Sequence, residues 1–289
     1  MSGFPITILN VLTQPGPTIT SLNNHASGYC PGLSCRLITE ITEWDDLTVT
    51  NIHDAYSDIL VQEHIDQPTL AASIRVNKIK AVPDVKQMES TFLHRLVGPS
   101  LNQGCGIIGS RLVSSTATPP VADIEIRLDK RLGPARPNTT LFWGTQLLLF
   151  GVSKRDADWT FSSWASDRGH PTAQLAGYAT SANTRYTYII TDSSILGVRR
   201  KVVPLDGSGS DTLTPGLALW AVTMMALNER HRPIAGLHQI ARLNEWIPLF
   251  NSENQAVYRN VISARVKEGL PEGAVGLLPP RPMGLSHMA

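Results

Sequence analysis

The chain has 289 residues, 42% of them hydrophobic and 17% charged, which are the values of a globular protein long enough to bury a sizeable core. Its formal net charge of +1 excludes an overall basic, histone-like binder. The 20 prolines and 22 glycines point to long loops rather than a helix bundle.

Residues 1–35 are rich in Pro, Gly, Asn, Thr and Ser and read as a flexible N-terminal arm, with a short extended segment at 6–11 that can dock on the body. Cys30, Cys35 and Cys105 make an odd count with no zinc spacing, so free or buried thiols in a reducing compartment are expected. The first residues lack a basic segment followed by an apolar run, and no apolar stretch is long enough to span a bilayer. The expectation is an intracellular protein, nuclear or cytoplasmic, without membrane contact.

Between 43 and 65 the residues Ile52, Ala55, Tyr56, Ile59, Leu60 and Ile65 recur at helical spacing. Asn51 or Thr50 is the expected cap, and Asp54, Asp58 and Glu63 form an acidic outer face open to protein partners. A second helix is expected over 85–102, with Met88, Phe92, Leu93, Leu96 and Val97 as its apolar set. Its Glu89 points either into a site or to solvent. Strands are expected at 106–113, 121–128 and 140–152, the last bent near Gly144, with 129–138 as a wide hairpin loop. A helix over 168–182 and strands at 184–191 and 196–203 follow. A buried helix opens at Thr214-Pro215, and a last helix is expected near 251–267 before a Pro/Gly-rich tail. This order describes an α/β fold, a central mixed β-sheet flanked by helices.

Charge is uneven along the chain. Residues 101–201 hold twelve Lys/Arg against seven Asp/Glu, a local balance of +5 that suits an anionic partner such as nucleic acid or a mixed solvated surface. In the same stretch Asp123 and Glu125 sit two apart in an alternating strand and share a face. Lys154 ends the apolar run Leu147-Leu-Leu-Phe-Gly-Val-Ser-Lys154. Two carboxylates and a lysine are what metal-dependent phosphodiester cleavage requires, since the hard Mg²⁺ ion takes oxygen ligands and the lysine neutralises developing charge. The residue two before Lys154 is Val152, which ligates nothing. Trp159 and Trp164 either stack on bases or cover the sheet.

These pieces taken in order resemble the PD-(D/E)XK nuclease superfamily, and within it the nuclease-like domain proteins of filamentous fungi. The resemblance rests on Pro-x-x-Asp123, Gly151-Val-Ser-Lys154, Gln174-Leu-Ala-Gly-Tyr178, Arg185-Tyr-Thr-Tyr-Ile-Ile-Thr-Asp192 and the apolar helix after Leu213-Thr-Pro. It covers roughly residues 85–230. It implies a restriction-endonuclease-like core with helical additions, spanning 36–250 between the arm and a C-terminal helix with a disordered tail at 251–289. It also implies Asp123 as metal ligand, Lys154 as catalytic lysine, and Gln174 and Tyr178, with Arg155 and Arg185, on the nucleic-acid side. An active member uses Mg²⁺. Here Val152 stands where the family carries its second acid. Three readings follow: a catalytically degenerate protein that keeps nucleic-acid binding or a place in an assembly; an active nuclease with Glu125 or Glu89 as substitute acid; and a protein-interaction module that binds no nucleic acid.

Overall fold

The computed structural model describes residues 5–16, 19–21, 43–64, 76–79, 82–112, 123–132, 137–156, 170–197, 201–236 and 240–277. The expected tail, Cys30, Cys35, Trp159, Trp164 and most of the arm lie outside them.

The first described segment corrects an expectation. Instead of an extended strip at 6–11, only Ile6 and Thr7 pair with the chain at Gln62–His64, and a short helix α1, Ile8–Leu12, follows. Thr7 caps it in a reciprocal box with Asn10, which satisfies two otherwise orphaned donors. Ile8, Val11 and Leu12 are fully buried. Helix α2, Val49–Leu60, is capped by Thr48 rather than Asn51 or Thr50; the Asn51 side chain instead donates to the Asp46 carbonyl at 2.8 Å. Strands β1, Ile19–Ser21, and β2, Val76–Ile79, form a small parallel pair.

The next element is longer than expected. Helix α3, Val82–Phe92, runs through a π-helical turn, Leu93–Val97, into α4, Gly98–Leu112. Where a strand is expected at 106–113, the described residues 106–112 are the end of this helix. Its apolar run is broken by glycines because the helix lies close to two indoles. A Cβ at Gly104 would press on Trp220 at 3.1 Å, and one at Gly109 on Trp143 at 2.9 Å.

The central sheet has the order β3-β4-β5-β6-β7-β8. Its strands are β3, Ile124–Leu128; β4, Thr139–Trp143; β5, Gln146–Ser153; β6, Thr187–Ile190; β7, Ser194–Gly197; and β8, Lys201–Pro204. The stretch expected as one bent strand over 140–152 is a hairpin. Gly144, at a φ of 59°, supplies the left-handed turn residue that reverses the chain between β4 and β5. Where one strand is expected at 196–203, the described residues 196–197 and 201–203 belong to two paired strands. Only the β5–β6 step is parallel, and helix α5, His170–Ala182, makes that crossover.

The sheet is covered on both faces. Helices α3, α4 and α6 (Pro215–Ala226) share one large core with Leu141, Leu149, Tyr188 and Ile190. On the other face Leu175, Tyr178 and Ala179 of α5 pack on Phe150, Val152, Ile189 and Leu196. All twelve residues of α6 are buried, as its all-round apolar pattern demands, and Thr214 caps it with Pro215 in its first turn.

The helix expected at 251–267 does not form. A second sheet, β11-β10-β9-β12, occupies the region, built from β9, Glu245–Phe250, β10, Ala256–Asn260, β11, Val266–Lys267, and β12, Val275–Gly276. It docks on the acidic side of α2, where Arg265 pairs with Asp58 at 3.3 Å and Lys267 with Asp54 at 2.9 Å.

Candidate functional site

The backbone register decides where the expected site residues lie. Asp123 immediately precedes Ile124, which faces Trp143, and Trp143 in turn faces Gln146. Lys154 follows the other end of β5. At ~3.3 Å per residue, the run from Gln146 to Lys154 separates Asp123 from the lysine by roughly 25 Å along the sheet. Asp123 belongs with α4: the Ile124 amide donates to Asn102 Oδ1 at 2.8 Å. Burial, with the Asp123 charge second, pushes the Cys105 thiol up to about 11. The expected pairing of Asp123 with Lys154 is therefore corrected.

Glu125 is no closer to serving a metal with Lys154. It is exposed on the face of β3 opposite Ile124 and Ile126, and pairs with Arg127. That hydrogen bond first, and the charges of Arg127 and Lys130, hold its carboxyl below the usual range. Arg127 and Lys130 also lie over the Phe142 ring, at 4.6 and 4.3 Å.

Glu89 does point inward. It shares the buried side of α3 with Val85, Met88 and Phe92, and is 1% exposed. Beneath it, Thr139, Gly151 and Tyr188 face one another across β4, β5 and β6, so their side chains stand on the face that meets α3. Tyr188 donates its hydroxyl to Glu89 Oε1 at 2.5 Å, and the Ser153 hydroxyl donates to Oε2. Gly151 makes this possible, because a Cβ there would overlap the Tyr188 ring. Burial raises the pKa of Glu89, and the hydrogen bonds from Ser153 and Tyr188, with the nearby Thr139 hydroxyl, oppose that rise. Burial also raises Tyr188 well above its ordinary value, with the Glu89 charge next. The group is a polar latch between α3 and the sheet, with both carboxylate oxygens committed to it.

The end of the sheet that carries Lys154 holds different chemistry from that expected. The Lys154 amide donates to the Ile190 carbonyl at 2.9 Å, and the Asp156 amide to Asp192 Oδ1 at 2.7 Å. Across from this end, on the neighbouring strand's approach, stands Asn138. Its Oδ1 accepts from the Ser153 amide at 2.7 Å, and its own amide donates to the Gly151 carbonyl at 3.0 Å. Val152 points to the α5 face, 2% exposed, and faces Ile189. Asp123, Glu125 and Glu89 thus do not converge: the first lies at the far end of the sheet, and the other two on opposite faces. Among the described residues no group of three or more His, Cys, Asp or Glu can hold a metal ion.

The residues expected on the nucleic-acid side are also distributed. Gln174 donates to the Tyr178 hydroxyl at 2.7 Å, an ordinary i,i+4 pair. Tyr178 is 1% exposed, with its ring edge-on to Phe150 at 5.8 Å, so it packs the α5 core and cannot stack on a base. Arg155 is 3% exposed. Arg185 lies at the opposite end of the sheet from Lys154, its Nε donating to the Pro233 carbonyl at 2.9 Å. These four do not make one basic surface.

The Glu89–Tyr188–Ser153 latch escaped sequence reasoning as a unit. Its one visible signal was a glutamate at helical spacing from Val85 and beside Met88, on the side of α3 that the apolar residues mark as inward.

Sheet, flanking helices and latch together define an α/β protein with a mixed six-stranded sheet covered on both faces. No protein-family model, no curated protein and no solved structure matches the chain. Among the described residues no helix is long and apolar enough to cross a membrane.

Proposed function

We propose that this chain is a catalytically silent PD-(D/E)XK nuclease-like protein that acts by binding rather than by cleavage. The order α3–α4, β3, β4, β5, α5, β6, with Gly151-Val-Ser-Lys154 closing β5, supports the nuclease-like reading. The observation that carries the silence is the composition around Lys154. Val152 is sealed into an apolar cluster, the neighbouring strand offers the Asn138 amide, and the one buried glutamate nearby is latched by two hydroxyls. Asp156 and Asp192 lie at the same end, but the Asp192 carboxylate accepts from the Asp156 amide, and among the described residues no group of three or more His, Cys, Asp or Glu can hold a metal ion; Mg²⁺ is held by few protein oxygens and depends on their charge, so this donor set does not fit it.

The partner class the resemblance favours is nucleic acid. Binding to it is carried by phosphate contacts, so affinity would fall linearly with salt on logarithmic axes. Incubation with single- and double-stranded DNA and RNA, with Mg²⁺ or Mn²⁺, and anisotropy over a salt series test both halves. The expectation is salt-dependent binding without cleavage. Metal-dependent cleavage that disappears in Lys154→Ala overturns the reading.

A second reading, a place in a protein assembly, is favoured by the second sheet. Phe250 at its β9–β10 hairpin is 73% exposed, beside the exposed Leu249, and Val266 on β11 is exposed too. Partner capture through that sheet, with no salt-dependent nucleic-acid binding, would select it.

A further inference from the structure

The chain leaves α6 through the run Asn228-Glu-Arg-His-Arg-Pro233. Asn228 starts a tight turn: the His231 amide donates to its carbonyl at 3.0 Å, and the Arg230 amide to its Oδ1 at 3.2 Å. Its Nδ2 donates to the Ile262 carbonyl at 2.9 Å, which ties the turn to the segment after β10. On the other side the Arg232 and Pro233 carbonyls accept from the Arg185 amide and Nε at 2.8 and 2.9 Å. Arg232 donates to Gln146 Oε1 of β5 at 3.2 Å. The turn is thus fastened to the second sheet, to the approach to β6 and to the β4–β5 hairpin, at the end of the central sheet away from Lys154.

Charge on this turn is one-sided. Arg230 is exposed at its apex, with His231 and Arg232 partly buried behind it. Three arginines, Arg185, Arg230 and Arg232, stand against Glu229, whose carboxylate accepts from Gln146 Nε2. His231 reflects the crowding: burial first, then the charges of Arg185 and Arg230, hold its pKa below the ordinary value. Burial also lowers Arg232, with the Glu229 charge opposing. Positive charge is held here against a cost that an arriving anion would offset.

Residues 228–236 contain no Phe, Tyr or Trp, so the turn offers guanidinium and imidazole groups and no platform for stacking a base. A planar guanidinium matches phosphate oxygens, and phosphate contacts carry no sequence information. We propose that the turn at 228–233 is the surface that meets the phosphate backbone of a nucleic acid. Arg230 makes the leading contact, and Arg185 and Arg232 supply fixed positive charge behind it. The inference rests on the nucleic-acid reading of the protein and places the contact at the opposite end of the sheet from Lys154.

Anisotropy with labelled single- and double-stranded DNA and RNA, from about 50 to about 200 mM salt, is the test. Arg230→Gln and Arg230→Glu alter the exposed apex. Lys86→Gln removes the same charge at the Leu128 end, where Lys86 pairs with Asp129 at 2.9 Å. All three positions are at the surface, so melting temperatures should stay close to that of the wild type. Arg230→Gln should weaken binding about fivefold whatever the base sequence, and should reduce the slope of log affinity against log salt by about 1. Arg230→Glu should weaken it further, and Lys86→Gln should bind as the wild type does. Wild-type binding that Arg230→Glu leaves intact, or that Lys86→Gln weakens equally, overturns this inference alone. Absence of salt-dependent binding by the wild type overturns it together with the reading on which it rests.

Discussion

The Tyr188 hydroxyl reaches Glu89 across the bare Cα of Gly151, with 2.5 Å between the two oxygens. This contact ties α3 to the middle of the sheet. It also fixes the state of the one glutamate that a nuclease reading would most want free. A carboxyl that is buried and accepts from both Tyr188 and Ser153 is a structural group.

The latch predicts a pH dependence. Glu89 has a folded-state pKa raised from 4.5 by burial, so between the unfolded and folded values the native state holds a proton that the unfolded chain releases. Its contribution to stability is therefore fully present below the unfolded value and is lost as pH rises through the folded one. Glu89→Gln removes this titration. Urea midpoints from about pH 5 to about pH 8 should show the variant gaining on the wild type as pH rises. Glu89→Ala should lose about 2–4 kcal/mol, because it leaves a cavity and two hydroxyls without their acceptor.

Gly151→Ala should be destabilising by about 1–3 kcal/mol, the usual range for overpacking a tight site. The new methyl would meet the Tyr188 ring. Combining it with Tyr188→Leu should give less than the sum of the single effects, since both act on one contact. Denaturation of the four proteins measures that coupling, and strict additivity would break the link between the two residues.

Much of this architecture is written locally in the chain. The burial of α6 follows from apolar residues on every side, and α2, α5 and the alternation in β6 follow from period alone. What period does not report is which way a strand points. Val, Leu and Thr through 140–152 read as one strand, and only the φ of 59° at Gly144 divides it and sends Lys154 back to the Leu128 end. Glu125 lies on β3 and Asp123 just before its first residue; the turn decided that Lys154 lies far from both. The helix expected near 251–267 fails for a similar reason. Asn254 and Ala264, at φ values of 60° and 55°, make turns that reverse the chain, and the residues between pair as strands. Glu89 could be read only as a choice between site and solvent, because helical spacing does not say what lies beneath a helix.

Val152→Glu tests the sealed site from the opposite direction. Its carboxylate would enter the cluster of Phe150, Leu175, Tyr178 and Ile189 on the face away from Glu89. A loss of about 3 kcal/mol or more is expected from burying an unpaired charge, with no metal-dependent cleavage gained. Thermal unfolding and a plasmid-nicking assay read the two effects separately.

Asp58 should be a hinge point for the second sheet. It pairs with Arg111 of α4 and with Arg265 before β11, while Lys267 holds Asp54 one turn earlier on α2. Because the pairs are partly exposed, Asp58→Ala should cost only about 1–2 kcal/mol overall. Limited proteolysis should nonetheless show earlier cutting in 240–277 than in the wild type, with the central sheet still protected.

The most direct measurement is a cleavage time course on mixed DNA and RNA substrates with Mg²⁺ and with Mn²⁺, run for the wild type, Lys154→Ala and Glu89→Gln. With Asn138 and Val152 flanking Lys154 and Glu89 locked by Tyr188, none of the three should cut above the metal-only background. Metal-dependent cleavage by the wild type that either substitution abolishes would contradict the account.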